Sequence, residues 1–505
     1  MPALDAGAPM ADDMGEADAF VPELGVTLSP ADLRLRRGES AAIEVTRSGF
    51  DGPVAITVDG LPAGVAANPL TLPAGVDGAS IVIQATDSAA LGGLVAFVVR
   101  LGATDEPALE ATAEGTLVVA DAPGMLDESF GQDGLATITH EDEIDLDLTE
   151  VAIDDESRVV MVGYLHNGGV GPRQLYMARV RADGESDSGF GDRGFVIGTG
   201  DHESQASSFV LDGNELRVLG RAQATTEPES SFRFLSAWTE NGRLDPSFGD
   251  GGEQILPDWD RIFSIALNRV TGRLFLGGQG RVDAVSTDGT SRSLSVPADL
   301  PVIGSMIHSN GTLTFGTGAR TSGEAVAVVG RLRETGGLDR TFGDDGYLWL
   351  EPPPGDRDLS QVLALVVTSS GDGYAGVDQG VRGDYRGEPE LIRFTADGVL
   401  DSSFGTDGRV RFEDRGFIHS VVVDREGRPV VYGFETPDSS SALRRIKRYT
   451  ASGTPDSEFG EDGTVDLSAL DLRFITHAGH DAAADRLVAC GRASAGSVRC
   501  ARFWL

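Results

Sequence analysis

The nonapeptide LDPSFGDGG, residues 244–252, is one of six related segments spread between residues 126 and 463. Each copy contains a Phe-Gly pair and ends on a second glycine three residues after the first. The copies are LDESFGQDG (126–134), SDSGFGDRG (186–194), LDPSFGDGG (244–252), LDRTFGDDG (338–346), LDSSFGTDG (400–408) and PDSEFGEDG (455–463). Self-similarity of this kind predicts a repeat architecture.

A second series of markers has a similar period. Seven short apolar runs end on a glycine, with successive gaps of 57, 57, 39, 60, 57 and 58 residues. These glycines are Gly163, Gly220, Gly277, Gly316, Gly376, Gly433 and Gly491. Two of them fall in the widest gap between Phe-Gly pairs, which indicates a unit that lacks the motif. A period in the fifties with β-type residues predicts a closed array of small sheets.

Each unit contains four predicted strands that alternate with tight turns. Pairs such as Asn310-Gly311 favour these turns, because they accept the positive φ angles of two-residue hairpins. Four antiparallel strands in each of seven units predict a seven-bladed β-propeller over residues 122–505. The whole chain is therefore expected to be all-β.

The order of the predicted strands indicates how the ring closes. The first Phe-Gly segment is followed by a strand at residues 135–139, before any complete unit has begun. The last unit ends on a strand at residues 497–505 with no fourth strand after it. We expect these two strands to pair and to complete the last blade, since closure removes two bare sheet edges.

The N-terminal part has a different pattern. Residues 1–21 are acidic, small and polar, and predict a disordered tether. Residues 22–121 contain about six alternating strands separated by turn clusters, which favours an immunoglobulin-like β-sandwich. The segment GLPAGV, residues 60–65, resembles a turn of bacterial surface immunoglobulin-like modules.

Residues 122–505 resemble the delta-60 repeat family, whose units carry an LDxSFGxxG core followed by a strand and an Asp-Gly hairpin. The resemblance implies a bacterial extracytoplasmic propeller, often combined with surface modules. It implies no particular activity. The chain departs from the family pattern near Asp288-Gly289, where the motif is missing, and at Ser186 and Pro455, where the first leucine is replaced.

The repeated residues predict packing and turn formation more than ligand binding. A bulky aromatic at the same place in each unit can wedge between neighbouring sheets. These aromatics are Phe130, Phe190, Phe248, Phe342, Phe404 and Phe459. The aspartate that precedes most of them can accept hydrogen bonds from backbone amides and stabilise the turn. An arginine repeated on the third strand, for example Arg179 or Arg448, can stack on an aromatic of the next blade or pair with that aspartate.

Cys490 and Cys500 lie on adjacent predicted strands, at equal distances from the turn between them. Residues in that relation can face each other across an antiparallel pair. We expect a disulfide that locks the closing blade and suits an oxidising compartment. Two buried free thiols are the alternative.

Charge and motifs exclude several function classes. The formal net charge is −38, which repels nucleic acid and anionic membranes. No apolar run is long enough to predict a transmembrane helix. His477 and His480 are the only close histidine pair, and their spacing on a strand makes a poor metal clamp. Metalloprotease, serine-hydrolase, phosphate-loop and paired-cysteine motifs are absent from the sequence.

Acidic residues recur in the connections that lead from one unit to the next. Such a ring of carboxylates could hold Ca²⁺ or a cationic ligand, although an acidic chain would carry acids in most short loops. The candidate ligand-binding residues are Asp145, Asp201, Asp260, Asp299, Asp358, Asp414 and Asp471. No other cofactor is predicted.

The sequence favours an exported or cell-surface binding or scaffold protein without catalytic activity. We expect a monomer, in the periplasm or on a bacterial surface as a lipoprotein, that binds a protein, a glycan or a cation. The alternative is a carbohydrate-active lyase or hydrolase, in which carboxylates such as Asp145 and Asp358 would have to converge. A purely structural surface protein is a third hypothesis.

Overall fold

The computed structural model describes most of the chain after residue 22, and the predicted tether lies outside the described residues. The described ranges are 23–92, 94–140, 144–166, 173–198, 202–224, 231–256, 262–278, 281–294, 303–321, 324–351, 357–381, 387–413, 415–436 and 443–505. Within them the protein is almost entirely β-structure, with two short 3-10 turns at Ser468–Leu470 and Ser494–Gly496.

None of the helical segments in the described ranges has the length and apolar character needed to cross a membrane.

The chain divides into two compact units between Val119 and Ala120. In the first unit, two antiparallel sheets with strand orders β1-β3-β7-β5 and β2-β9-β8-β4-β6 enclose one apolar core. The strands are β1 (Gly25–Ser29), β2 (Asp32–Arg36), β3 (Ser40–Ser48), β4 (Val54–Asp59), β5 (Val65–Ala67), β6 (Leu70–Leu72), β7 (Gly78–Ala85), β8 (Val95–Ala103) and β9 (Glu110–Ala120). The alternating burial of β3 and β7 reflects the period-2 pattern of their sequences.

The second unit is a succession of small antiparallel sheets. Its strands are β10 (Leu135–Ile138), β11 (Asp145–Ile153), β12 (Val159–His166), β13 (Gln174–Val180), β14 (Phe195–Ile197), β15 (His202–Asp212), β16 (Glu215–Ala224), β17 (Ser231–Trp238), β18 (Glu253–Leu256), β19 (Ile262–Asn268), β20 (Arg273–Gly278), β21 (Arg281–Val285), β22 (Ser291–Ser293), β23 (Ile303–Ser309), β24 (Thr312–Thr321), β25 (Glu324–Arg333), β26 (Gly336–Leu338), β27 (Tyr347–Leu350), β28 (Arg357–Val367), β29 (Gly373–Val381), β30 (Gly387–Phe394), β31 (Arg409–Arg411), β32 (Arg415–Val423), β33 (Pro429–Thr436), β34 (Leu443–Arg448), β35 (Thr464–Asp466), β36 (Arg473–Asp481), β37 (Arg486–Arg492) and β38 (Val498–Trp504).

Most of these strands pair in chain order. The sheets are β11-β12-β13-β14, β15-β16-β17-β18, β19-β20-β21-β22 and β23-β24-β25, with β26 and β27 both on β25. Strands β28 to β31 and β32 to β35 form two further groups, joined by one residue pair, Gly387 with Gly416. The remaining sheet has the order β10-β38-β37-β36 and therefore combines strands from both ends of the unit.

The pairing of β10 with β38 joins the start of the second unit to its end. Leu135 lies opposite Ala501 and Ile138 lies opposite Val498 in an antiparallel ladder. The first strands of successive sheets also contact one another, from β11 through β15, β19, β23, β28, β32 and β36 back to β11.

Each of these first strands contains a β-bulge next to a marker glycine. In β11 the register shifts between Leu148 and Glu150, where Leu148 lies opposite Gly163. A Cβ atom on Gly163 would lie 2.0 Å from the backbone oxygen of Asp147, so no larger residue fits there. Gly433 in β33 is equally close to the backbone of β32. At these two marker glycines the bulged backbone approaches its neighbour closely, whereas at Gly220 and Gly376 a Cβ atom would meet the side chains of Phe234 and Ile418.

The Phe-Gly segments hold neighbouring sheets together through the backbone. In each described copy, the amide of the motif glycine donates a hydrogen bond to a carbonyl in the turn of the next sheet. These bonds run from Gly131 to Asp183 (2.6 Å), Gly191 to Asn241 (3.0 Å), Gly249 to Asp288 (3.0 Å), Gly343 to Asp397 (2.7 Å), Gly405 to Ser452 (2.8 Å) and Gly460 to Pro123 (3.0 Å). The last of these bonds again connects the end of the unit to its beginning.

The repeated arginine of the third strand supports the same joint. Arg179 Nε donates to Asp187 (2.7 Å), and its guanidinium lies 4.7 Å from the ring centre of Phe190. Its Nη1 donates to the carbonyl of Glu240 in the next sheet. Arg179 therefore stacks on Phe190, the phenylalanine of its own sheet. The alternative that it stacks on an aromatic of the next blade is not found at this position. Arg448 repeats the ion pair and the ring contact, with Asp456 and Phe459.

The joint between the sheets that begin with β19 and β23 has no Phe-Gly segment, and a polar cluster lies there instead. Asn268 Nδ2 donates to Glu334 Oε1 (2.6 Å), and the His308 imidazole pairs with the same carboxylate. The ring of Phe275 stacks on His308. Side chains of β19, β20, β23 and the turn after β25 thus replace the motif at this position.

A deeply buried ion-pair cluster lies where the ring closes. Asp127 is fully buried, and its Oδ2 lies 2.8 Å from both Arg486 Nη1 and Arg502 Nε. Burial, and after it the charge of Arg486, lower the pKa of Arg502 to about 10, while Asp127 and Asp481 oppose this lowering. The Asp127 carboxylate is thus the counter-charge in direct contact with two buried guanidinium groups.

We predict that Asp127→Asn lowers the free energy of unfolding by about 3–5 kcal/mol, since it removes the carboxylate that two buried cations contact directly. Urea denaturation followed by tryptophan fluorescence measures the change. Asp183→Asn is the matched control, because its pair with Arg181 is about half exposed and is worth about 0–1 kcal/mol. Equal losses in the two variants would contradict the assignment.

Cys490 and Cys500 are directly opposite each other on β37 and β38 and form a disulfide. Both residues are fully buried in the sheet that closes the ring. The bond closes a loop with a sequence separation of 10 residues. It therefore cross-links the two strands that neighbour β10 and β36.

We predict an intact mass two hydrogens lighter than that of the reduced chain when the protein is prepared without reductant. Reduction should lower the free energy of unfolding by about 3 kcal/mol, the chain-entropy value for a loop of this size. The Cys490→Ser/Cys500→Ser double variant, which reductant should not affect, is the control. A native mass that matches two free thiols would refute the prediction.

Candidate functional site

Two of the seven candidate aspartates have described side chains, and both are engaged by groups of the protein. Asp145 Oδ2 lies 3.3 Å from Arg492 Nη2. Asp471 accepts hydrogen bonds from the backbone amide (3.0 Å) and the hydroxyl of Ser494, and lies 3.8 Å from Arg499 Nη1. Both aspartates therefore contact the segment that connects β37 and β38.

The other five candidates cannot be placed at the level of side chains. Asp358 belongs to β28, but its side chain is not described. Four candidates lie outside the described residues: Asp201, Asp260, Asp299 and Asp414. Within the described part of the chain, no three His, Cys, Asp or Glu side chains are grouped so that they could hold a metal ion.

A cavity of about 360 Å³, called the central cavity below, lies among the first strands of the sheets, β11, β15, β19, β23, β28 and β32. In five of these strands, the residue that directly follows the bulge lies in the wall of the cavity. Its polar lining consists of Glu150, Ser207, Ser208, Ser264, His419 and Ser420, and aliphatic side chains complete the described wall. This is the site that the sequence reasoning missed, because serines next to a bulge carry no motif.

The carboxylate of Glu150 is held in place by the neighbouring strand. Its Oε2 accepts hydrogen bonds from the Ser208 hydroxyl (2.8 Å) and from the backbone amide of Phe209 (2.9 Å). In contrast, the hydroxyl of Ser264, a residue that is 5% exposed, has no hydrogen-bond partner among the described residues. The cavity wall therefore combines one oriented anionic group with a residue whose buried hydroxyl has no partner among the described residues.

A second opening, of about 300 Å³, lies between the sheets that begin with β11 and β15. Arg173, Arg221 and Glu203 contribute its charged groups. Arg173 Nη1 donates to Gln205 (2.8 Å), and the Arg173 guanidinium lies 4.8 Å from the ring centre of Tyr164.

Asp378 is a buried carboxyl group outside both openings. It is 2% exposed, and its Oδ1 has no hydrogen-bond partner among the described residues. Burial raises the pKa of this carboxyl from 3.8 to about 6. Its position inside the apolar run GYAGVDQGV, residues 373–381, is the signal from which burial could have been predicted.

Comparisons with known proteins address the fold. A family model described as "Domain of unknown function (DUF5122) beta-propeller" matches residues 380–404. No curated protein matches the chain. Solved structures that the chain is similar to include Sqt1 of Saccharomyces cerevisiae (10% identity, 81% of this chain and 93% of that chain, TM-score 0.37). They also include hydrazine synthase of Kuenenia stuttgartiensis (9% identity, 57% and 74%, TM-score 0.38). Neither likeness is close enough to carry an argument. The family match and the small sheets together indicate a β-propeller.

We predict that Asp378 makes stability fall as the pH rises. A folded-state pKa above the unfolded value stabilises the fold below about pH 4, and this contribution is lost as the pH rises through about 6. Asp378→Asn should therefore gain stability relative to wild type between pH 4 and 7, by up to about 3 kcal/mol. Urea denaturation at several pH values measures the difference.

Asp397→Asn removes the same charge from an exposed turn and controls for net charge. A difference between Asp378→Asn and wild type that is the same at pH 4 and pH 7 would contradict the assignment.

Proposed function

We propose that this chain is an exported or cell-surface binding or scaffold protein without catalytic activity. In this proposal, residues 122–505 form a seven-bladed β-propeller of delta-60-type repeats. The immunoglobulin-like module at residues 22–121 links the propeller to its anchor. One face of the propeller binds a protein, a glycan or a cation.

The strand arrangement supports the blade count. The four-strand groups of the second unit and the contacts of their first strands form a series that returns from β36 to β11. The pairing of β10 with β38 gives the last group its fourth strand. The six motif copies and the seven marker glycines have the matching period.

The observation that carries the choice of binding over catalysis is the number of carboxylates in the openings. In the described walls, the central cavity contains Glu150 as its one carboxylate, and the opening beside β15 contains Glu203. A further opening of about 440 Å³ likewise contains one carboxylate, Asp192. Hydrolysis or elimination on a glycan ordinarily uses two acid–base groups about 5–10 Å apart. A single carboxylate surrounded by hydroxyls or arginines is better suited to recognition.

One further observation supports an extracytoplasmic location, and another supports a monomeric state. The Cys490–Cys500 disulfide is a bond that persists in oxidising compartments. The net charge of −38 favours solubility as a dispersed, monomeric particle. The resemblance to delta-60 repeats implies the same location.

The test is a binding screen with the full chain immobilised on a biosensor, against peptidoglycan fragments, bacterial surface polysaccharides and Ca²⁺. Each glycan that binds is then incubated with the protein, and reducing ends and unsaturated uronates are measured. We expect saturable binding with no product. Release of either product would favour the carbohydrate-active enzyme, and an absence of binding to any probe would contradict the glycan and calcium forms of the proposal.

A further inference from the structure

We propose that the central cavity binds a small organic cation through a primary ammonium group. The inference deepens the proposed binding function and rests on it for a role without catalysis. The site consists of Glu150, Ser264 and Ser420, which line the same cavity from β11, β19 and β32.

The cavity provides one fixed negative charge. Both hydrogen bonds to Glu150 reach its Oε2, from the hydroxyl of Ser208 and the amide of Phe209. These bonds fix the side chain, and Oε1 accepts no hydrogen bond from the described residues. An oriented carboxylate oxygen in a confined site is the acceptor that forms strong charge-assisted hydrogen bonds with a cation.

Two hydroxyl groups can supply the remaining acceptors. Ser264 is only 5% exposed, and its Oγ has no hydrogen-bond partner in the described structure. Ser420 Oγ donates to the carbonyl of Ala478 (3.3 Å), so its lone pairs remain able to accept. Ser207 differs, because it already accepts a hydrogen bond from Arg233 (3.2 Å). Three acceptors match the three N–H donors of an ammonium group.

The composition of the wall argues against a metal ion. Ca²⁺ takes six to eight oxygen ligands, usually with several carboxylates, and Mg²⁺ needs near-octahedral geometry. The described wall offers one carboxylate. Its aliphatic part, which includes Met306 and Leu365, suits the methylene groups of an organic ligand. The large negative charge of the protein attracts cations towards the cavity.

Isothermal titration calorimetry with the full chain tests the proposal, with putrescine as the probe. 1,4-Butanediol, which has the same carbon chain without the charge, and CaCl₂ are the comparison ligands. We expect saturable binding of putrescine and at least about tenfold weaker binding of butanediol, the loss of one charge-assisted hydrogen bond. No heat with putrescine, equal binding of butanediol, or tighter binding of Ca²⁺ would overturn it.

Two variants locate the site. Glu150→Gln keeps an acceptor for Ser208 and Phe209 but removes the charge, and should weaken putrescine binding by about tenfold or more. Glu185→Gln removes the same charge from an exposed turn and should bind like wild type. Ser264→Ala removes a hydroxyl that has no partner, so we expect an unchanged melting temperature and binding weaker by about threefold or more.

Binding by Glu150→Gln that equals wild type would refute the site. If that variant did not fold, Ser264→Ala would decide, since wild-type affinity in a folded Ser264→Ala protein contradicts the assignment. The result of the putrescine titration can be distinguished from the result of the biosensor screen. Glycan binding that persists without putrescine binding would remove this inference alone, whereas product formation would remove the proposed function.

Discussion

The architecture of the second unit depends on the contact that each Phe-Gly segment makes with the next sheet. An antiparallel sheet of four short strands has two apolar faces and cannot bury them alone. The motif glycine fixes the neighbour by a backbone hydrogen bond, and the phenylalanine fills the space between the sheets. In four of the six copies an arginine–aspartate pair also holds the segment itself. Because these contacts use one end of each sheet, the connections at the other end are free to vary in length and composition.

The placement of the ring closure follows from the same contact. Gly460 donates to Pro123, and Asp127 pairs with Arg486 and Arg502, so the segment that precedes β10 takes the place of a motif at the end of the unit. The disulfide lies in the same sheet. Several independent interactions are thus concentrated where the two ends of the unit meet.

Much of this could be predicted from the sequence because packing requirements repeat. A glycine opposite a bulged strand, such as Gly163 or Gly433, recurs at intervals of 57–60 residues with one gap of 39, and the common interval gives the unit length. The predicted strand at residues 135–139 is β10, Leu135–Ile138. The short strands β2, β5 and β6 of the first unit were not predicted, since three to five residues carry too little alternation to be recognised.

The candidate site could not be predicted in the same way, because it depends on residues that do not repeat. Sequence reasoning selected acids in the connections, and the two with described side chains, Asp145 and Asp471, are bound by Arg492 and by Ser494. Glu150 and Ser264 were not selected, since only the bulges of β11 and β19 bring them to one cavity. Asp378 differs again, because the apolar run around it indicates burial, whereas the missing partner of its Oδ1 depends on its neighbours in space.

Hydrogen–deuterium exchange resolved to single amides tests the central claim most directly. The amides of the motif glycines, Gly131, Gly191, Gly249, Gly343, Gly405 and Gly460, lie in turns, where exchange is fast unless the amide is bonded. The account predicts that all six exchange as slowly as the amides of the adjoining strands. Exchange of Gly131 and Gly460 at the rate of open loops would contradict it, because these two bonds hold the closing sheet to its neighbours on either side.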